Sequence, residues 1–452
     1  MMDILVWRGR ALVVALSCGT FLSACSLPEP DGTEATLKAR AASLSPLPTS
    51  PQHDARGVVQ NGLILHSEVR EAASEVAQSA DQVRVERAGL FPSVGLSFGG
   101  GAGAAGDGDP ALQLTGKQLI ADFGNTDRAI TSADMDLQIK YLTFQKSVDD
   151  AIVELLKAFD AVQMYEKELV IRQNQLAGMQ DLLSRVEERN TAGASSNTDL
   201  LEARKRLQSI EFEVHDAELA LSDARDQLAR RSGQSSGGMV PVPRSDCRRV
   251  AESDDYRIAK LKVVKAELDL ENARKSKMPK VNLSPLARAG NGGGLGLNLS
   301  VDSDLLQGGA YTARVNATTN ALAAAKASVD TASRDDALDA RKLTRDISAA
   351  DRKRDMLQRQ IELLGETREL YRSQYFDLGT RTISELLDNE EEYYERQSDL
   401  VELASDDLAN RLDCSVRNGS LRGMYGLTNK KIYGLPLQRT EDELNMASRS
   451  KS

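Results

Sequence analysis

A mainly α-helical protein with a small β part is what this sequence predicts, and it predicts that architecture twice over. Three observations carry the expectation: apolar residues recurring every seven positions over two very long stretches, two pairs of short segments alternating apolar and polar, and two matching helix-turn-helix tips. In this reading the long coiled-coil helices form an α-barrel. The four strands of each chain contribute to a twelve-stranded β-barrel completed by three chains.

Composition narrows the function classes. The chain has 452 residues, 27% charged and only 4% aromatic. That is thin for a compact core of this size and better suited to long helices. A formal net charge of −10 argues against nucleic acid as a partner. The histidines His53, His66 and His215 are widely spaced, and no metal-ligand spacing, nucleotide loop or nucleophile motif is present. An enzyme is therefore not expected, nor a cofactor.

The N-terminus reads as an export leader over residues 1–24. Arg8 and Arg10 precede an apolar run from Ala11 to Leu22, too short for an ordinary transmembrane helix. The run ends in Leu22-Ser-Ala-Cys25, and a cysteine at the first mature position looks like a bacterial lipobox whose thiol receives diacylglycerol. Ser26 follows, instead of the aspartate that commonly retains lipoproteins at the inner membrane. Acyl chains on Cys25 would hold the mature N-terminus at a membrane surface. Removal of the leader removes Cys18, leaving Cys247 and Cys414 in an oxidising compartment. Each is expected just after the last helix of its repeat; a disulfide between them and two separate thiols are equally weighted readings.

Residues 25–65, rich in Pro, Ser, Thr and Ala, read as an extended tether. The first repeat is expected over 66–232. A helix ends at Pro92, then Val94, Leu96 and Phe98 alternate over Ser93–Phe98, and a Gly/Ala/Asp loop runs from Gly99 to Asp109. A second strand, Ala111–Leu119, sets Leu112 and Leu114 against Gln113 and Thr115. Asp122-Phe-Gly124 opens a long helix. After a linker at 233–252 the order returns over 253–412, at an offset of roughly 185 residues. A helix ends at Pro279, strands follow at Lys280–Leu286 and Leu295–Val301 around Gly290–Gly294, and Gly308-Gly309 opens the second long helix. The C-terminal tail, 413–452, carries no readable pattern.

The long helices hold a heptad. Tyr141, Val148, Leu155, Val162, Leu169, Leu176 and Leu183 are spaced by seven, as are Leu343, Ala350, Leu357, Leu364 and Tyr371. A strict seven-residue repeat implies left-handed supercoiling on a neighbour. Helices over 124–190 and 308–376 would each run about 100 Å. The shorter pairs 66–89 with 198–231, and 254–277 with 382–412, each match one long helix end to end. That arrangement gives a wall with strands at one end and tips at the other.

The tips are the most specific feature. One reads Gly193-Ala-Ser-Ser196-Asn-Thr198-Asp199-Leu-Leu201, the other Gly379-Thr-Arg381-Thr-Ile-Ser-Glu385-Leu-Leu387-Asp388. Each glycine suits the left-handed residue that ends a helix. The hydroxyl three residues on can accept from free N–H groups at the next helix start, and the acid six on sits well in its first turn. Four strands with one apolar face cannot close a barrel, and their open edges cannot face lipid. At least three chains are therefore needed, with Gln113, Thr115, Asn298 and Ser300 facing a lumen.

On these residues, over 66–412, the chain resembles the TolC family of outer-membrane channel-tunnels, in lipoprotein form. The resemblance implies a homotrimer with a barrel in outer-membrane lipid and a helical tunnel in the periplasm. It further implies docking to a periplasmic adaptor and an inner-membrane pump, ABC-type or proton-driven, with the tip glycines Gly193 and Gly379 at the adaptor contact. In that family a polar lock between hairpins closes the tunnel. The matching positions are Arg381 with Thr198 and Asp199, and Phe376 stands where the family has a tyrosine, which removes a hydroxyl bond. Glu385 and Asp388 match acidic rings at the aperture.

Cargo is the least determined point. Glu385–Asp406, with Asn389, Tyr393-Tyr394 and an acidic run, resembles channels of type I protein secretion. Small-molecule efflux is the alternative. A lipid-anchored periplasmic coiled-coil scaffold is a second one, but it leaves the alternating strands idle.

Overall fold

The computed structural model describes residues 28–99, 111–241, 247, 253–289, 294–303 and 308–437. The expected leader, Cys25 and most of the two glycine-rich strand connections fall outside these residues. The order is α1 (Gly32–Ser43), β1 (Ser45–Pro46), α2 (Ala55–Leu65), α3 (Ser67–Ala88), β2 (Ser93–Gly99), β3 (Ala111–Ala121), α4 (Asn125–Thr191) and α5 (Asn197–Ser232). Then come α6 (Asp254–Lys275), β4 (Lys280–Ala289), β5 (Gly294–Asp302), α7 (Ala310–Ser373), a π-helical turn (Gln374–Leu378), α8 (Ile383–Arg417), α9 (Leu421–Met424), β6 (Lys430–Ile432) and β7 (Leu435–Pro436). The chain divides into two compact units, and each repeat contributes to both. One comprises the chain up to Ala39, Glu75–Lys140 and Ala259–Ser328; the other comprises Arg40–Ser74, Tyr141–Ile258 and the chain from Val329.

In the first unit the four long strands form one antiparallel sheet in the order β2-β3-β4-β5. Leu96 lies opposite Leu114 and Phe98 opposite Leu112. Leu114 in turn meets Ala287, and Leu283, Pro285 and Ala287 meet Leu299, Leu297 and Leu295. Period-2 alternation in all four strands thus sums to one continuous apolar face. Every large side chain on it from β2, β3 and β5 is exposed, Leu295 by 91%. The opposite face pairs Ser97 with Gln113 and Gly95 with Thr115, and Ser284 with Asn298 and Asn282 with Ser300. A bulge between Leu119 and Ala121 ends the regular β3 pairing.

The expected tether, 25–65, is not extended over its described residues, 28–65. Thr33 donates to Asp134 from its N–H at 3.1 Å and its hydroxyl at 2.6 Å, and Arg84 donates to Glu34 at 3.0 Å. These bonds fix the start of α1 on α3 and α4. In the second unit Asp54 caps α2 by accepting from Gly57 N–H at 2.8 Å. Helix α2 then presses onto α4 so closely that a Cβ at Gly62 would lie 2.3 Å from Leu155 Cδ2. Only glycine permits that approach.

The heptad reading captured half of α4. Tyr141, Phe144, Val148, Ala151, Leu155 and Val162 are buried, but so are Ile152, Leu156 and Phe159 on another face. Helix α2 covers Leu155, and the start of the inter-repeat segment sets Gly237 and Gly238 against Val162 and Phe159. The described part of the C-terminal tail, to Leu437, is folded as well. Strand β6 pairs in parallel with β1 and antiparallel with β7. Arg422, only 5% exposed, donates to Asp149 Oδ1 at 2.7 Å and to the Gln145 side chain. Gln145 donates to Pro436 O at 2.9 Å, and Tyr425 to Pro241 O at 3.1 Å. Cys414 lies inside α8, not after it, and is joined to Cys247 with a Cα–Cα distance of 5.3 Å.

Candidate functional site

The two tips fold as their residues dictate. Gly193 and Gly379 take φ of +77° and +64°, ending one helix in the left-handed conformation that glycine adopts freely. Ser196 and Thr382 cap the following helices, and Asp199 and Glu385 complete reciprocal capping boxes. The Leu-Leu pair of the second tip is buried: Leu386 and Leu387 join Met179, Leu182, Val186, Ala203, Ile210, Tyr375 and Ile383 in one core beneath both hairpins. Local capping therefore fixes each tip, and shared apolar packing fixes one tip against the other.

The lock expected between Arg381 and Asp199 is not formed within the chain. Arg381 serves its own hairpin: Nε donates to Gln374 at 2.9 Å, Nη1 to Glu385 at 2.9 Å, and the guanidinium lies 4.1 Å from the Tyr371 ring centroid. Glu385 is held below the usual carboxylate range, chiefly by the Thr382 N–H, then by the Thr382 hydroxyl and Arg381. Asp199 meets Tyr375, whose hydroxyl donates to it at 3.5 Å and lies 3.4 Å from Ser195 Oγ. Thr198 is exposed in the first turn of α5.

Phe376 and Asp388 both have partners on the first hairpin. The hydroxyl missing at Phe376 is supplied one residue earlier, by Tyr375. Both residues lie in the π-helical turn Gln374–Leu378, and both face the first hairpin. Phe376 instead lies under Arg185, 4.1 Å from its ring centroid, and its carbonyl accepts from Arg189. Arg189 also lies 5.2 Å from the Tyr375 ring and donates to Ala194 O at 3.1 Å. Asp388 is paired with Arg206 of the first hairpin at 2.9 Å, and Glu391 shares the same guanidinium. Ser384 donates to Glu202 at 2.5 Å.

Arg185, Arg189, Arg206 and Tyr375 are thus the cross-hairpin residues that the sequence reading missed. Arg185 and Arg189 stand four apart at the end of the long helix, on one face, and that spacing was the available signal. Above them lie two buried charge clusters in the second hairpin. Glu390 accepts from Arg368 and Arg372, each at 2.6 Å. Asp407 accepts from Arg354 at 2.6 Å and Arg411 at 2.9 Å. Such clusters make one helix register much better than its neighbours.

Comparison with known proteins bears on both parts. Residues 58–234 match the family model described as outer membrane efflux protein, and no curated protein matches. Solved structures resemble the chain over most of its length. VceC from Vibrio cholerae is 15% identical, with a TM-score of 0.70 over 82% of this chain and 96% of that one. The outer-membrane channel OprN is 18% identical, with a TM-score of 0.68 over 89% and 95%. The MtrE outer membrane channel of Neisseria gonorrhoeae is 16% identical, with a TM-score of 0.66 over 85% and 90%. With its duplicated helix–strand–helix order, four-stranded sheet and paired tips, the chain has the fold of these outer-membrane channels, and its residues 58–234 match the outer membrane efflux protein family.

Proposed function

We propose that this chain is one subunit of a homotrimeric outer-membrane duct, the exit path of a tripartite export system, and that it conducts passively and catalyses nothing. The observation that carries the reading is the sheet. It has one mainly apolar face whose large apolar side chains on β2, β3 and β5 are exposed, one mainly polar face, and open edges at β2 and β5. An apolar face suits lipid, a polar face suits a lumen, and open edges in lipid demand partners. Three copies joined edge to edge give twelve strands.

Lipidation at Cys25 fits the same surface. Arg87, in the last turn before β2, donates to Glu29 O at 2.7 Å and pairs with Asp31. Four residues of chain span at most ~15 Å, so an acyl group on Cys25 stays near the sheet. A periplasmic adaptor would meet the tips around Gly193 and Gly379, and an inner-membrane pump would select the cargo. Type I protein secretion is the reading drawn from Glu385–Asp406. Small-molecule efflux is a second, favoured by the family description.

The tips act as the gate. Tyr375 with Ser195 and Asp199, and Arg185 and Arg189 with Phe376 and Tyr375, hold the second hairpin to the first within a chain. Glu385 and Asp388, repeated three times, surround the aperture, with Arg206 offsetting part of their charge. Burial pushes the Tyr375 phenol up, so it remains a donor across the physiological range. In planar bilayers the full-length protein is expected to give discrete conductance steps, and Tyr375→Phe and Arg189→Ala each to raise their size. No conductance at all would remove the duct reading. Steps of unchanged size in both variants would remove the gate alone.

A further inference from the structure

Each of the two longest helices holds one glycine, Gly178 in α4 and Gly365 in α7. They precede the tip glycines Gly193 and Gly379 by 15 and 14 residues, which puts them at matching levels of the two repeats. Neither sits at a turn or takes a positive φ. After proline, glycine is the least favourable residue in a helix interior, so each calls for a reason.

One pair of side chains on α8, Tyr393-Tyr394, meets both. The Tyr394 hydroxyl donates to Asn174 O at 3.2 Å, and a Cβ at Gly178 would lie 3.3 Å from that hydroxyl and 3.2 Å from Arg368 Nη2. Tyr393 rests on the other glycine, its Cε2 3.6 Å from a Cβ placed at Gly365. The reasons therefore differ. At Gly178 a side chain would crowd groups that other bonds already hold, so glycine seats the second hairpin on the first. At Gly365 a Cβ would make ordinary van der Waals contact, so packing does not demand glycine. What glycine adds there is backbone freedom within the helix.

The ion pairs of the second hairpin divide on either side of Gly365. On the tip side, Glu390 of α8 holds Arg368 and Arg372 of α7. On the other side, Asp407 and Arg411 of α8 hold Arg354 and Asp351 of α7. Between these clusters, among the described residues, no ion pair joins α7 to α8, and Gln360 reaches Glu392 at a long 3.3 Å. Two stiff blocks thus meet at the level of one helical glycine.

We propose that Gly365 is the hinge of the second hairpin. The tip-side block, from Arg368 to Tyr394, swings about it, and Gly178 is the seat on which Tyr394 turns. From Gly365 to Gly379 the chain spans roughly 20 Å, so a tilt of about 10° carries the tip ~3.5 Å. That parts Tyr375 from Ser195 and Asp199, which it meets at 3.4 and 3.5 Å. The inference rests on the duct reading above and adds where its gate bends.

Spin labels on Ala192→Cys and Thr380→Cys, one at each tip of a chain, read this motion in membranes where labelled chains are diluted with unlabelled ones. Gly365→Ala has room for its Cβ and is expected to narrow the spread of label distances about twofold. Asn320→Ala, 45 residues earlier on the same helix, also raises helix propensity and is expected to leave the spread unchanged. An unchanged spread in Gly365→Ala would overturn the proposal, and so would equal narrowing in Asn320→Ala. Bilayer conductance keeps this apart from the duct reading: if the unlabelled protein does not conduct, the duct and the gating role fall together, whatever the labels show.

Discussion

Glu390→Ala is expected to destabilise the second hairpin by about 3–5 kcal/mol, the usual effect of removing one partner from a buried charge cluster. Glu390 is 7% exposed and is the shared acceptor for Arg368 and Arg372. The arginines sit on α7 and the glutamate on α8, so its loss leaves two guanidiniums facing each other in a poorly hydrated seam. Hydrogen exchange should quicken across both helices around these residues, and proteases should cut there first. Glu391→Ala is the matched control, because its carboxylate is 46% exposed beside Arg206 and its removal should cost less than about 1 kcal/mol. Equal protection in the two variants would refute the assignment. Replacing all three residues of the cluster with leucine or methionine should recover most of the lost stability.

Arg422→Ala is the second large effect, again about 3–5 kcal/mol. The Arg422 and Asp149 side chains are 6% and 4% exposed, so truncation takes a cation away from a buried carboxylate. It also frees Leu437 O and the Gln145 side chain, both acceptors from the same guanidinium. The expected result is release of 421–437 from α4, seen as new tryptic cleavage at Lys430 and Lys431, which β6 pairing now holds. Arg422→Lys should not rescue, because a single ammonium cannot satisfy acceptors spread around a planar fork. An unchanged digest of Arg422→Ala would contradict this account of how the C-terminus is held.

Local patterns made most of the fold legible. The strands showed in the alternation of Leu295, Leu297 and Leu299 with Gly296 and Asn298. The long helices showed in the seven-residue spacing from Tyr141, and the tips in Gly193 and Gly379 followed by capping hydroxyls. What escaped was held by distant contacts. Helix α1 depends on Asp134 and Arg84, and α2 packs Gly62 on Leu155. A segment of Pro, Ser, Thr and Ala looks the same in sequence with or without such partners. The C-terminal tail was opaque for the same reason, since its organising residue is one arginine that pairs far back in the chain.

The tip residues show a different limit. Positions carried over from a related family say nothing of the local helix geometry, and here the second hairpin turns through a π-helical segment at Gln374–Leu378. Tyr375, next to Phe376, is the residue whose hydroxyl reaches Asp199 and Ser195. Arg381 turns to Glu385, its neighbour four residues on, a pairing favoured by helix geometry wherever the two occur at that spacing.

The whole account requires that one chain supply only part of a pore wall. Native mass spectrometry of the protein released from detergent micelles tests this most directly. A dominant species of three chains, persisting at collision energies that strip the detergent, is the expected result. A single-chain species at every protein concentration would contradict it.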